Sequence, residues 1–153
     1  MKHTLPYEAP DFSLSGVDGS LHSLKDYSGQ WVVLYFYPQD NTPGCTAEAC
    51  GFRDYNQALL EQQAVVIGVS QDSFDSHQAF KGKYSLNFLL LSDPDHVVMN
   101  AYGAWGKKMF GHEGVLRKTF IINPSGQVVK VYPKVTPVGH AKQVLADIKS
   151  LQT

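Results

Sequence analysis

The sequence predicts an α/β fold, a central mixed β-sheet with helices on both faces and an N-terminal β-hairpin. Three observations predict it. Residues 31–37 (WVVLYFY) and 64–70 (AVVIGVS) are continuous β-branched and aromatic runs, the pattern of strands covered on both faces. Each is followed by a stretch with apolar residues at helical spacing, the alternation that builds parallel strands. Further on, two strand-like runs flank Pro124-Ser125-Gly126, a turn signal, and an amphipathic stretch follows them. With 153 residues, 43% apolar and 12% aromatic, the chain suffices for one core, and residues 1–153 are expected to form a single domain.

Taken in order, residues 12–15 alternate apolar and polar side chains, turn at Asp18-Gly19, and return over residues 20–22 as the N-terminal hairpin. The run at 31–37 is the central strand. A helix follows over residues 43–62, with Thr42 as N-cap, Pro43 at the first helical position, and Cys45, Ala49, Phe52 and Leu59 on one buried face. As N-cap, Thr42 is expected to accept a hydrogen bond from the backbone N–H of Cys45. After the strand at 64–70, Phe74, His77, Phe80 and Tyr84 mark a helix over 73–84. Residues 88–91 read as a third apolar strand, 95–102 as a short helix and 103–114 as a glycine-containing loop in which Trp105 and Phe110 pack. Residues 119–122 and 127–132 form the antiparallel hairpin. Ala141, Val144, Leu145, Ile148 and Leu151 then make the last helix.

Composition excludes several function classes. Thirteen basic against fourteen acidic side chains leave a formal charge of −1, with no Lys or Arg run to neutralise several phosphates or hold an anionic bilayer. Neither nucleic acid nor membrane is an expected partner. Residues 1–11 lack the apolar stretch of a signal peptide, and the run at 31–37 is far too short to span lipid, so a cytoplasmic protein is expected. Six histidines, His3, His22, His77, His96, His112 and His140, are scattered without ligand spacing, and no metal is expected. No dinucleotide or phosphate-loop glycine pattern occurs.

Chemistry is concentrated in Pro38-Gln39-Asp40-Asn41-Thr42-Pro43-Gly44-Cys45-Thr46-Ala47-Glu48-Ala49-Cys50, which holds both cysteines of the chain. Cys45 falls in the first turn of a helix, where unpaired N–H groups and the positive end of the macrodipole favour a thiolate. In a reducing compartment two such cysteines form a catalytic or sensing pair more readily than a structural bridge. The plain alternative for Cys45 is a small buried hydrophobe.

The spacing Pro38-x-x-x-Thr42-x-x-Cys45 after an aromatic strand resembles the active-site signature of the peroxiredoxins. The run Thr-Pro-Gly-Cys-Thr, with Cys50 five residues on, is similar to their Q type, the bacterioferritin comigratory proteins. The likeness continues through Leu91-Ser92-Asp93, Tyr102-Gly103-x-Trp105-Gly106 and Arg117, two residues before the penultimate expected strand. It implies a thioredoxin-like fold and a thiol peroxidase acting on hydrogen peroxide or organic hydroperoxides without a cofactor. Cys45 is then the peroxidatic cysteine, which becomes a sulfenic acid, and Cys50 the resolving cysteine of a Cys45–Cys50 disulfide. A thioredoxin- or glutaredoxin-type reductant would recycle that disulfide. The same likeness implies that Thr42 and Arg117 bind the peroxide with the backbone N–H groups of Gly44 and Cys45, and that Pro38 shields the thiolate. Glu48 either orients Arg117 or is an ordinary solvated helix residue. The absence of a C-terminal arm carrying a second-subunit cysteine points to a monomer.

Magnitudes place the weight on Arg117 and Thr42. Lowering a cysteine pKa from about 8.5 to about 6 raises its thiolate fraction at pH 7 roughly thirty-fold, and a Brønsted slope near 0.45 returns roughly ten-fold of that. A fast peroxidase must therefore stabilise the charge that passes to the departing oxygen. Residues five apart on an ideal helix have Cα atoms about 8.5 Å apart and point about 140° away from each other, whereas a disulfide needs Cα atoms within about 7 Å. Closing Cys45 onto Cys50 thus requires the helix start to unwind, which Gly51 would ease. The rivals are a thiol–disulfide oxidoreductase, which usually carries Cys-x-x-Cys, and a non-enzymatic redox sensor.

Overall fold

A central strand with its two faces in two different cores organises the molecule. The computed structural model describes residues 4–108 and 111–153, so His3 and Phe110 lie outside the described residues. The elements are β1 (Tyr7–Glu8), β2 (Ser13–Gly16), β3 (Leu21–Ser23), a 3-10 turn (Leu24–Tyr27), β4 (Trp31–Phe36), α1 (Pro43–Glu61), β5 (Ala64–Ser70), α2 (Phe74–Tyr84), β6 (Leu89–Ser92), α3 (Val97–Tyr102), β7 (Trp105–Lys107), β8 (Glu113–Val115), β9 (Lys118–Ile122), β10 (Gln127–Tyr132) and α4 (His140–Leu151). Eight strands form one mixed sheet in the order β1-β10-β9-β4-β5-β6-β2-β3, with β4, β5 and β6 parallel and the other neighbours antiparallel.

Because side chains alternate along a strand, β4 feeds both cores. Val33, Tyr35 and Tyr37 pack with Cys45, Ala49, Phe52 and Leu59 of α1, Phe80 of α2 and Val144 and Ile148 of α4. Val32, Leu34 and Phe36 pack on the other side with Val98, Met99 and Tyr102 of α3 and with Phe12. Helices therefore cover both faces. On the first face Tyr35 stacks on Phe52 at 4.8 Å between ring centres. Its ring lies across β5, where a Cβ on Gly68 would come within 2.9 Å of two ring carbons. Only glycine leaves that space.

The expected hairpin is present as β2 and β3, paired Leu14 to His22, with the turn at Gly19 in the left-handed region (φ 82°). Two strand pairs were not legible. Residues 103–114, expected as loop, contain the β7–β8 hairpin, paired Trp105 to Val115 and Lys107 to Glu113. Strands of three residues interrupted by glycine carry too little alternation to be read, and here a ring stack of Trp105 on His96 at 3.6 Å supports them. β1 is a two-residue edge strand held on β10.

This topology puts one strand end in a special place. β4 has parallel β5 on one side and antiparallel β9 on the other, so its carboxyl end opens where the sheet changes direction, the usual ligand position in open α/β sheets. The register Phe36 to Lys118 brings Arg117, the residue before β9, to that same end.

Candidate active site

α1 starts where β4 ends. Thr42 is extended (φ −86°, ψ 156°) and Pro43 takes the first helical position, which its fixed φ and missing N–H suit. The expected cap bond is absent: the Thr42 hydroxyl donates to the Gln39 carbonyl at 2.9 Å and accepts nothing from the helix. That carbonyl sits in the tight loop before the helix and captures the one hydrogen of the Thr42 hydroxyl. The Thr42 oxygen and the first-turn N–H groups of Gly44 and Cys45 thus remain without an intrahelical partner.

Arg117 closes the site from above. Its guanidinium donates through one nitrogen to Cys45 Sγ at 3.2 Å and through another to Glu48 Oε1 at 2.6 Å. Gly44 is what lets it approach, since a Cβ there would lie 3.2 Å from the Arg117 terminal nitrogen and 3.6 Å from Pro137. Cys45 and Glu48 are each 1% exposed. The reading of Glu48 as a solvated helix residue is thereby overturned, because positions 45, 48, 49 and 52 share one buried face of α1. The side chain that points inward there is a carboxyl because Arg117 meets it.

The electrostatics follow from burial. Desolvation pushes the Glu48 carboxyl up to about 7, against the pull of Arg117, and its Oε2 has no hydrogen-bond partner among the described residues. For Arg117, burial works against the cation, while the Glu48 and Cys45 charges and hydrogen bonds outweigh it and raise its pKa. Tyr35 lies under the site with its hydroxyl also unpartnered, and burial followed by the charges of Glu48 and Cys45 holds it far above the usual phenol range. A planar cationic fork bridging a sulfur and a carboxylate can hold a thiolate and receive negative charge that moves off it.

The structure thus brings together Cys45, Glu48, Gly44, Thr42 and Arg117. Pro38 sits half-buried in the loop before them. Cys50 is a free thiol, half-buried, on the same regular helix as Cys45.

Residues 6–131 match the AhpC/TSA family. The chain is 46% identical over 147 residues to the Bacillus subtilis protein named peroxiredoxin Bcp, covering 94% of each, and 49% identical over 143 residues to a Helicobacter pylori putative peroxiredoxin bcp, covering 92% of this chain and 94% of that one. It belongs to the peroxiredoxins. Among solved structures, a cysteine-to-serine variant of Xylella fastidiosa PrxQ superposes with a TM-score of 0.94 at 33% identity over the full length of both chains. A Xanthomonas campestris bacterioferritin comigratory protein, described for its alkyl peroxide reduction activity, superposes at 0.89 with 38% identity, covering 93% of this chain and 92% of that one. As a peroxiredoxin the chain is a thiol-dependent peroxidase with a peroxide substrate and a thiol reductant. No described helix is long and apolar enough to cross a membrane.

One network beside the site was missed in the sequence. Asp40 is buried and accepts hydrogen bonds from the Tyr37 hydroxyl at 2.6 Å and the Ser76 hydroxyl at 2.8 Å, and it pairs with His77 Nδ1 at 2.7 Å. His77 Nε2 reaches the Leu91 carbonyl at 3.0 Å, and the Asp40 N–H donates to Asp72 at 2.8 Å. Asp40, Asp72 and His77 come within metal-ligand reach of one another, yet each is engaged in hydrogen bonds that tie the loop after β4 to α2, through His77, and to the end of β5, through Asp72 and Ser70. The signal was available: His77 occupies the buried stripe of α2, where a polar ring requires a partner.

Proposed function

We propose that Cys45 is the peroxidatic cysteine and Arg117 the group that stabilises the transition state, with Cys50 resolving. The observation that carries this reading is the Arg117 fork, which touches Cys45 Sγ and Glu48 at once. The Cys45 thiolate attacks one peroxide oxygen and the O–O bond breaks. The sulfur keeps an OH as sulfenic acid, and the other oxygen leaves as alkoxide or hydroxide and takes up a proton. Arg117 and the N–H groups of Gly44 and Cys45 receive the charge on that oxygen. Thr42, its own hydrogen held by Gln39, offers its oxygen to the hydroperoxide O–H, and Pro38 shields the thiolate from water. Glu48 orients Arg117.

Cys50 then displaces hydroxide from Cys45, forming the disulfide and water, and a thioredoxin- or glutaredoxin-type dithiol reduces it. We place the protein in the cytoplasm, where a reducing compartment would keep its two cysteines as thiols at rest, as a monomeric single domain.

Steady-state peroxide consumption with a thioredoxin system tests the reading. Many turnovers of peroxide per chain are expected. Reduction of protein disulfides without peroxide turnover would assign a thiol–disulfide oxidoreductase instead, and a single oxidation event that changes partner binding would assign a sensor.

A further inference from the structure

The segment holding both cysteines is tied at its two ends to one place, the C-terminal end of α2. Upstream, Asn41 is held in the left-handed region (φ 63°) and its Oδ1 accepts from the Tyr84 hydroxyl at 3.0 Å and from Lys83 Nζ at 3.3 Å. Downstream, Arg53 donates to the Tyr84 carbonyl at 2.8 Å, one of the acceptors that a helix leaves unpaired in its last turn. Asn87 donates to the Arg53 carbonyl at 3.2 Å, and Asn56 donates to the Asn87 carbonyl at 3.0 Å. Tyr84 therefore touches both flanks, by its hydroxyl on one side and its carbonyl on the other.

Between the clamps, residues 42–52 hold to the rest of the molecule differently. Among the described residues, their side-chain hydrogen bonds to other elements are those of Cys45 and Glu48 with Arg117. Otherwise they are held by packing, with Phe52 fully buried and Gly51 offering no side chain. Arg53 also lies within electrostatic reach of Cys50.

We infer that Arg53 and Tyr84 are positioning residues for the resolving step, holding the ends of the cysteine segment so that unwinding stops at Arg53 and the rest of α1 stays docked. The inference rests on the roles proposed for Cys45 and Cys50. In that step the Cys50 sulfur attacks the Cys45 sulfur, the Cys45 S–O bond breaks, and the hydroxide leaves with the Cys50 proton as water. Loss of helix over 42–52 frees carbonyls whose partners are four residues on, so amides up to 56 lose their acceptors while those from 57 onward keep theirs. A boundary between 56 and 57 is the signature of the clamp.

The test is amide hydrogen exchange on the full chain, reduced and after one equivalent of hydrogen peroxide, with the Cys45–Cys50 bond checked by mass spectrometry of unreduced peptides. On oxidation, protection at 46–56 is expected to fall at least about tenfold while 57–61 changes less than about twofold, a local opening bounded within one helix. In a variant carrying Arg53→Ala and Asn87→Ala, the reduced form should keep its protection at 57–61 and the oxidised form should lose it. Loss at 57–61 in the oxidised wild type, or an unchanged boundary in the oxidised variant, would overturn the clamp. Absence of the Cys45–Cys50 bond under peroxide would instead overturn the assignment of Cys50, and the clamp with it. The wild-type boundary decides the question even if the variant fails to fold.

Discussion

Two buried pairs of acidic and basic side chains flank the loop from β4 to α1, and they are built in opposite ways. In Asp40–His77 both carboxylate oxygens and both ring nitrogens have partners, from Tyr37, Ser76 and the Leu91 carbonyl. In Glu48–Arg117 one carboxylate oxygen is unpartnered among the described residues, the arginine spends a nitrogen on a sulfur, and the Arg117 side chain is still 19% exposed. A buried polar network that is fully satisfied rigidifies, whereas one left partly open stays responsive to charge. The first pair fixes the loop. The second, in the function proposed above, is set for chemistry.

The largest expected effect breaks the first pair. His77→Leu leaves Asp40 buried without its basic partner and should lower stability by about 3–5 kcal/mol in urea unfolding, with single-turnover peroxide reduction by the folded protein reduced less than about tenfold. A small stability loss with a hundred-fold loss of rate would exchange the roles of the two pairs. Next, Arg117→Lys should slow the first step by about 10–100-fold, because lysine cannot bridge Sγ and Oε1 with one planar fork. The loss must exceed what any change in thiolate fraction explains in a pH–rate profile. Rates that coincide after that correction would remove Arg117 from the transition state.

Smaller effects come from pH. Glu48 titrates near 7 in the folded protein, so its protonation should loosen Arg117 and give the wild-type rate a limb around pH 7. Glu48→Gln should erase that limb. A limb that persists in the variant would belong to another group. Stability carries the sign of each shift. The folded pKa of Glu48 lies above its ordinary value of 4.5, so the folded state binds more protons between 7 and 4.5 and Glu48 adds stability as pH falls through that window. His140 works the other way. It accepts or donates with the Thr119 hydroxyl at 2.8 Å, its ring meets Phe52 and Tyr132 edge-on, and burial, with Arg117 nearby, holds it at about 4. Since 4 is below its ordinary 6.5, the folded state binds fewer protons in between, and stability is lost as pH falls from 6.5 toward 4. The slope is on the order of 1 kcal/mol per pH unit. His140→Gln should flatten that loss in thermal unfolding, and an unchanged slope would assign it elsewhere.

The same contrast separates what the sequence reveals from what it hides. The continuous runs at 31–37 and 64–70 announce buried strands because a strand covered on both faces needs no polar alternation, and Pro43 and Thr42 mark the helix start because few residues suit those positions. Cys45 is legible from its place in that start. Arg117 is found by its order before a strand, although only the β4–β9 register shows that it reaches Cys45. What is lost depends on contacts between distant residues. The sequence points the Thr42 hydroxyl at the Cys45 N–H, as an N-cap, and the loop geometry turns it to the Gln39 carbonyl instead. Glu48 looks like any helix glutamate until Arg117 arrives from 69 residues away to make it a buried one. Asp40 and His77 are 37 residues apart and neither sits in a recognisable pair.

The central claim is that the open pair serves one sulfur, Cys45, and that Cys50 acts only afterwards. Single-turnover peroxide consumption by the reduced Cys45→Ser and Cys50→Ser variants tests it most directly. Cys50→Ser should consume about one equivalent of peroxide per chain at close to the wild-type rate and then stop in the presence of thioredoxin, while Cys45→Ser should consume none on that timescale. Rapid consumption of one equivalent by Cys45→Ser would contradict the account.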